Sequence, residues 1–374
     1  MDKQALHDTH WDSSLLDDTF EDEFEDLEDP DELLDPTALA RDPRSDRHLE
    51  LSTIRFDIPH ISQRMRVDSF LAKHVKYATR NRVQRAIAEG RVKVNQHAVK
   101  NSYGLLPGDV LEITIMRPAP ESMKAEPMDL DIVYEDEDLV IVNKAAGIAV
   151  HPTYKHWDGT LANGLLHHFR EQLGDPEAKI KPGLIHRLDK FTSGLLVVGK
   201  NAEAKRQLSK QFEQRQTRKV YQALVWGVPK APSGLLETNL GISRLSRMVI
   251  DVYPYMGKQG KPARTAWKTL KSFTHFALLD VELFTGRTHQ IRSHLRHIGH
   301  PIIGDFIYGG LAEHHPQFAD QAWLTDLLTL IPRQALHAAK LGFYHPRDRR
   351  WLEFEAPLPA DMVDAMNLLQ TLNG

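Results

Sequence analysis

The chain has 374 residues, 41% hydrophobic and 26% charged, with no cysteine, which suits a globular protein of about two domains and excludes disulfides, thiolate metal centres and cysteine nucleophiles. No run approaches the ~20 apolar residues of a membrane helix, and the first residues lack the basic-then-apolar pattern of a secretory signal, so a cytoplasmic protein is expected. The net charge of -4 hides an asymmetry: the first 50 residues hold 18 acidic and 4 basic side chains, the remainder 33 acidic and 43 basic, which points to a polyanion-binding body with an acidic appendage.

In chain order, residues 1–50 form that acidic tail. The run from Glu21 to Asp35 is mostly carboxylate, and self-repulsion leaves it unfolded on its own. Phe20, Phe24 and Leu27 fall at helical spacing, so two readings stand: a solvated tail, or an amphipathic segment that folds on a partner or back over the basic surface. Residues 62–117 read as a small α/β unit with 11 basic and 4 acidic residues. Asp68 is placed to cap a helix carrying Phe70, Leu71 and Val75. A second helix, near Arg80 to Glu89, stops at Gly90. Val92, Val94, Val99, Val110, Ile113 and Ile115 mark short strands, with a turn at Pro107-Gly108-Asp109. Residues 118–127, bounded by Pro118, Pro120 and Pro127, read as an extended linker.

The large unit, 128–374, mixes strands and helices without regular alternation. Leu139 to Val142, Gly194 to Val198, Tyr221 to Val225 and Ala277 to Leu283 are strand-like. Asn201 caps a helix with Ala204, Leu208 and Phe212 inward. The expected class is α+β, a mixed and largely antiparallel sheet flanked by helices.

Two constellations carry chemistry. In His186-Arg187-Leu188-Asp189-Lys190 a carboxylate stands among bases just before an apolar strand. Cations folded close to a carboxylate favour its ionised form, and an ionised carboxylate can be nucleophile or base; alone, such an Asp is most often a surface ion pair. In Gly286-Arg287-Thr288-His289-Gln290-Ile291-Arg292, continuing to Asp305, Ile291, Leu295 and Ile298 form an apolar stripe while Arg292 and Arg296 share another face. By itself this is a basic amphipathic helix.

Taken together and in order, Asn143-Lys144 with Gly147 and Val150-His151-Pro152, the stretch His186 to Leu196, Tyr221, Gly260-Lys261-Pro262-Ala263, Gly286 to Arg292, Tyr308-Gly309-Gly310 and Gln334-Ala335-Leu336-His337-Ala338 resemble the motifs of the RluA family of pseudouridine synthases. Arg66-Val67-Asp68, Thr79-Arg80, Gly90 to Asn95 and Gly108-Asp109 resemble the small RNA-binding domain named after ribosomal small-subunit protein four, and the combination is most like the RluD-type enzymes of large-subunit ribosomal RNA. The resemblance implies a catalytic Asp189 attacking a flipped nucleotide at the ribose or the uracil, Arg292 orienting it, and Tyr221 stacking on the base and assisting proton transfer. It also implies Arg187 entering the RNA stack, Ile291 packing on the uracil, and His289 and Gln290 at the substrate. Arg66, Arg80, Arg82, Arg85, Arg91 and Lys93 would bind RNA through phosphates and shape. The isomerisation needs no cofactor or metal, and a monomer suits it. Two positions depart from the family pattern: Ala145 stands where a proline usually follows Asn-Lys, and Phe191 where an acidic residue is common. Transfer RNA remains an alternative substrate. An RNA N-glycosidase, lacking a partner acid, and a non-catalytic assembly factor are rival readings. His297-Ile298-Gly299-His300 imitates a synthetase signature without its partner motif, and the histidines from His289 to His300 have no metal-site spacing.

Overall fold

The computed structural model describes residues 49–58, 65–75, 80–118, 123–152, 158–174, 182–246, 248–318 and 320–372. The acidic run 21–35 and its helical spacing lie outside these residues, as do the side chains of Arg80, Arg82 and Arg85.

The N-terminal unit comprises β1 (Leu49–Asp57), α1 (Val67–His74), α2 (Arg80–Ala88), β2 (Val92–Val94), β3 (His97–Ala98) and β4 (Val110–Pro118), with sheet order β1-β4-β2-β3. The two helices bury Val67, Phe70, Leu71, Val83 and Ile87 against Val92, Leu111 and Ile113. Two features depart from expectation. The helix cap is Arg66, and Asp68 sits inside the first turn, fully buried. There it accepts a two-pronged bond from Arg66 (3.0 and 2.8 Å) and one from Gln84 Nε2 (3.0 Å), so it staples α1 to α2 rather than capping. The second is β1, a strand ahead of residue 62 that pairs antiparallel with β4 from Leu49↔Pro118 to Asp57↔Val110. Gly90 ends α2 as expected: its φ is +71° and the next amide, Arg91 N–H, donates back to Ala86 O at 2.9 Å.

The large unit begins with β5 (Ile132–Glu135), β6 (Leu139–Lys144), α3 (Leu161–Leu173), β7 (Gly183–Leu184), β8 (Ser193–Gly199) and α4 (Ala202–Glu213). It continues through β9 (Arg218–Trp226), β10 (Ser233–Ile242), β11 (Ile250–Tyr253), β12 (Lys261–Ser272), β13 (Phe276–Leu283) and α5 (Gln290–His297). It closes with α6 (Ala322–Leu330), β14 (Leu336–Tyr344), β15 (Trp351–Glu355) and α7 (Ala360–Thr371). Among the described residues these strands form one eleven-stranded sheet whose main path is β11-β10-β12-β13-β9-β14-β8-β6-β5. Neighbours run antiparallel except β14 on β8, which is parallel at His337↔Ser193 and Ala338↔Gly194. Gly194 (φ +116°) is required there, since a Cβ would collide with the backbone of Ala338. The architecture is the mixed α+β sheet that the sequence implies. Both faces are covered: Val140, Val142, Leu196 and Val198 join the main core with α3, while Leu139, Ile141, Leu195 and Val197 pack with Leu208 of α4. Asn201 caps α4 through its side chain on Ala204 N–H.

Candidate active site

The loop 185–192 before β8 carries Asp189, and α5 rises from the far side of a cavity of about 310 Å³ lined by both. The loop is held from behind. Lys144, at the end of β6 and only 1% exposed, donates from Nζ to the carbonyls of Ala145 (2.8 Å), Ile148 (2.9 Å) and Lys190 (3.0 Å). Arg333, also buried, anchors on Asp361 through Nε (2.7 Å) and Nη2 (2.9 Å) and reaches the Phe191 carbonyl from Nη1 at 3.1 Å. Buried cations spent on carbonyls fix the backbone on either side of Asp189 while leaving its side chain, 20% exposed, at the cavity wall.

The cation that meets Asp189 comes from α5. Arg292 Nη1 donates to Asp189 Oδ2 at 3.0 Å across 103 residues of sequence. Its other edge is a fork onto Asp305, Nε to Oδ2 at 2.7 Å and Nη2 to Oδ1 at 3.1 Å. Both the Arg292 and the Asp305 side chains are 0% exposed. Burial alone would raise the Asp305 carboxyl, but the Arg292 guanidinium and the amides of Tyr308 and Ile307 hold it below the ordinary carboxylate value. One arginine therefore bridges a sealed carboxylate and an open one. The simple reading of α5 as a basic amphipathic helix does not hold for Arg292, which lies inside.

The neighbours in sequence do something else. His186 accepts the Val197 amide through Nε2 (3.1 Å) and stacks on Phe212 with ring centroids 4.6 Å apart. Burial pushes its pKa down to about 3, so it is neutral. Arg187 is exposed at the cavity rim. Tyr221, on β9 opposite Val281 of β13, is 8% exposed and lines the cavity with Ile291, which is 4% exposed. Burial and the Asp189 charge both raise the Tyr221 phenol above its ordinary value.

His289 caps α5 in a left-handed conformation, φ +50°, a strained placement for a residue with a side chain. Its Nε2 is 4.0 Å from Asp189 Oδ2 and its Nδ1 is 3.0 Å from the Tyr308 hydroxyl. Gln290 is buried, and its amide ties down the loop ahead of α5. Its Oε1 accepts from Thr285 Oγ1 (2.8 Å) and Arg287 N–H (3.0 Å), while Nε2 donates to Thr265 Oγ1 (2.8 Å). Phe191 meets Phe306 edge-on at 6.1 Å.

In the N-terminal unit Arg66 pairs with Asp68, Arg91 pairs with Glu89, and Lys93 is exposed on β2. Sequence reasoning gave no role to Lys144, Asp305 or Tyr308, although each sat inside a quoted motif, and it passed over Arg333, whose spacing carried no signal. Among the described residues, Asp136, Asp138 and His345 bring potential metal-ligand atoms within 4.8 Å of one another. Those atoms are already used: His345 meets Asp136 at 3.0 Å, and Asp138 takes Arg347 (2.7 Å) and Asn201 (3.0 Å). A guanidinium seated there opposes a cation.

The profile of the RNA pseudouridylate synthase family matches residues 138–297, and that of the S4 domain matches residues 65–111. An uncharacterized RNA pseudouridine synthase of Chlorobaculum parvum is 44% identical over 318 residues, 84% of this chain and 97% of its own length. The ribosomal large subunit pseudouridine synthase D of Neisseria meningitidis is 38% identical over 307 residues, 82% of this chain and 79% of its own. Among solved structures, human RNA pseudouridylate synthase domain containing 4 shares the fold, with a TM-score of 0.50 at 23% identity over 64% of this chain and 92% of that one. With such identity spread over more than four-fifths of its length, the chain belongs to the RNA pseudouridine synthases, of the RluA type, and carries an S4 domain ahead of its catalytic unit.

Proposed function

We propose that this synthase isomerises uridine in large-subunit ribosomal RNA, in the cytoplasm and as a monomer, with Asp189 as the group that attacks the nucleotide. The observation that carries the reading is Asp189 itself, open to the cavity and oriented by an arginine that water cannot reach. The name of the Neisseria meningitidis relative supports the substrate.

The reaction breaks the bond from uracil N1 to ribose C1′, turns the base, and joins C5 to C1′. The proton lost from C5 is balanced by one gained at N1, so no atom or electron leaves. Asp189 bonds to the nucleotide at the ribose or at the uracil ring and is released when the carbon link closes. Taking the base out of its stack costs a few kcal/mol. Arg187 at the rim, filling the vacated stack, and Tyr221, stacking on the base, offset that cost. Tyr221 and Ile291 close the apolar side of the cavity, which keeps water from the detached sugar. The Tyr221 phenol, raised by its burial, stays protonated and takes part in the exchange at C5. Gln290 acts by shaping the loop at 285–287. Arg66, Arg80, Arg82, Arg85, Arg91 and Lys93 hold the RNA by its phosphates.

The test is incubation of the purified protein with unmodified ribosomal RNA, without additives, and mapping of pseudouridine by carbodiimide-dependent reverse-transcription stops. New stops in large-subunit RNA that vanish with Asp189→Asn are expected. Stops only in transfer RNA would move the substrate, and stops that survive Asp189→Asn would remove Asp189 from its role.

A further inference from the structure

His289 has two ring nitrogens with different neighbours, and the neighbours decide which one carries the proton. The Tyr308 side chain is 1% exposed. Its hydroxyl oxygen accepts the Ile250 amide at 2.8 Å. The hydroxyl has a single hydrogen to give, and His289 Nδ1 stands 3.0 Å away. Burial pushes the Tyr308 phenol above its ordinary value, which keeps that hydrogen in place. A proton on Nδ1 would set two donors against each other and leave a buried O–H without this acceptor, an unfavourable arrangement. In the neutral ring Nδ1 is therefore the acceptor and the N–H is at Nε2.

That N–H lies toward the catalytic carboxylate. Nε2 is 4.0 Å from Asp189 Oδ2, the same oxygen that takes Arg292 Nη1 at 3.0 Å. Both ion-pair approaches to the Asp189 carboxylate, from His289 and from Arg292, are closest at Oδ2. The aim does not depend on a flexible arm. His289 has a left-handed backbone and lines the cavity, and Tyr308 meets its ring edge-on at 5.5 Å, with its own ring 5.1 Å from the Arg292 guanidinium. Ile250 N–H, Tyr308 and His289 thus form a hydrogen-bonded chain from the sheet edge that ends with Nε2 4.0 Å from the Asp189 carboxylate.

We propose that Tyr308 locks His289 as the Nε2–H tautomer, making His289 a positioning residue that, with Arg292, pins Asp189 Oδ2 and presents Oδ1 to the nucleotide. The role requires the 4.0 Å gap to shorten to a hydrogen bond in the RNA complex. This rests on the reading of Asp189 as the attacking group, but the tautomer is a property of the free enzyme and can be measured apart from turnover.

The experiment is long-range ¹H–¹⁵N correlation on the full-length protein labelled at histidine, without RNA, with the His289 signals assigned by their loss in His289→Gln. The expected pattern is a protonated Nε2 and a bare Nδ1 in the wild type, with a mixture of tautomers in Tyr308→Phe. A wild-type ring protonated at Nδ1 overturns the proposal, whatever the enzyme's activity. Single-turnover rates give the second arm. His289→Asn, too short to reach Asp189, should slow the reaction about 10- to 100-fold at unchanged RNA affinity, and His289→Gln, whose amide nitrogen reaches as far as Nε2, should recover most of that loss. Equal rates in the Asn and Gln variants would refute the role even with the tautomer confirmed. Absence of turnover in the wild type on any RNA would count instead against the proposed function and leave the tautomer result standing.

Discussion

The same substitution made at the two ends of Arg292 should differ in its effect on stability while lowering turnover at both. Asp305→Asn keeps the shape of the side chain but removes the charge and turns one acceptor into a donor facing Arg292. Removing one partner of a buried pair costs about 3–5 kcal/mol. Because Asp189 still meets the other edge of the guanidinium at 3.0 Å, the lower figure applies. At roughly 2–4 °C per kcal/mol for a unit of this size, the melting temperature should fall about 6–12 °C. The arginine would also drift, and a displacement of about 1 Å costs on the order of 10²-fold in rate. Asp189→Asn acts on a side chain that is 20% exposed, so its melting temperature should stay within about 2 °C of wild type while turnover disappears. The sign with pH follows from the depressed Asp305 carboxyl. Its contribution is complete above the unfolded value of about 3.9 and fades as pH falls through the folded one. The gap between wild type and Asp305→Asn should therefore be flat from about pH 6 to 8 and close in acid. The assays are differential scanning calorimetry and single-turnover isomerisation. An Asp305→Asn variant that melts with wild type and turns over normally would show that the buried pair does not hold the site.

Lys144→Met should keep the volume but strip three carbonyls of their donor, lowering stability by about 2 kcal/mol and slowing turnover with RNA affinity intact; a wild-type rate in this variant would deny it any hold on the Asp189 loop. His294 and His337 are buried with pKa values lowered to about 4 by desolvation. Folding keeps them neutral, so their contribution is complete above about pH 6.5 and is lost as pH falls toward the folded values; chemical denaturation at pH 5 should find each contributing about 2 kcal/mol less than at pH 7, and His294→Gln should shallow that slope. Because Tyr221 is raised by burial, the rate should show no alkaline limb between about pH 7 and 9; a limb that vanishes in Tyr221→Phe would contradict the assigned direction. Lys93→Ala should weaken RNA binding evenly across sequences and reduce the salt slope by about one.

Much of the frame was legible because its signals are local. Apolar runs gave β6, β8, β9 and β13, and Asn201 announced α4. Strand β1 carries only a faint signal, since Ile54 and Phe56 alternate at period two over too short a stretch to stand out beside the acidic tail. Asp68 read as a cap because its type suits one; only the tertiary approach of Gln84 turns it into a staple. In the site, the residues next to Asp189 looked like its counter-charges, yet His186 is neutral and the working cation lies 103 residues away. Spacing cannot express that pairing; the family resemblance supplied it. Lys144 escaped because its Nζ bonds go to backbone carbonyls, which leave no trace in side-chain sequence, and Arg333 because its carboxylate partner, Asp361, lies 28 residues away on another element.

The place of β14 in the sheet has a consequence for how the enzyme comes into being. It is inserted between β9 and β8, so the strand bearing Tyr221 and the strand following Asp189 meet only through a segment translated long after both. Without residues 336–344, β8 and β9 would each lose a neighbour and the sheet would be interrupted between them. Completion of the sheet therefore depends on the C-terminal part of the chain, and a protease that clips the chain ahead of β14 should silence the enzyme.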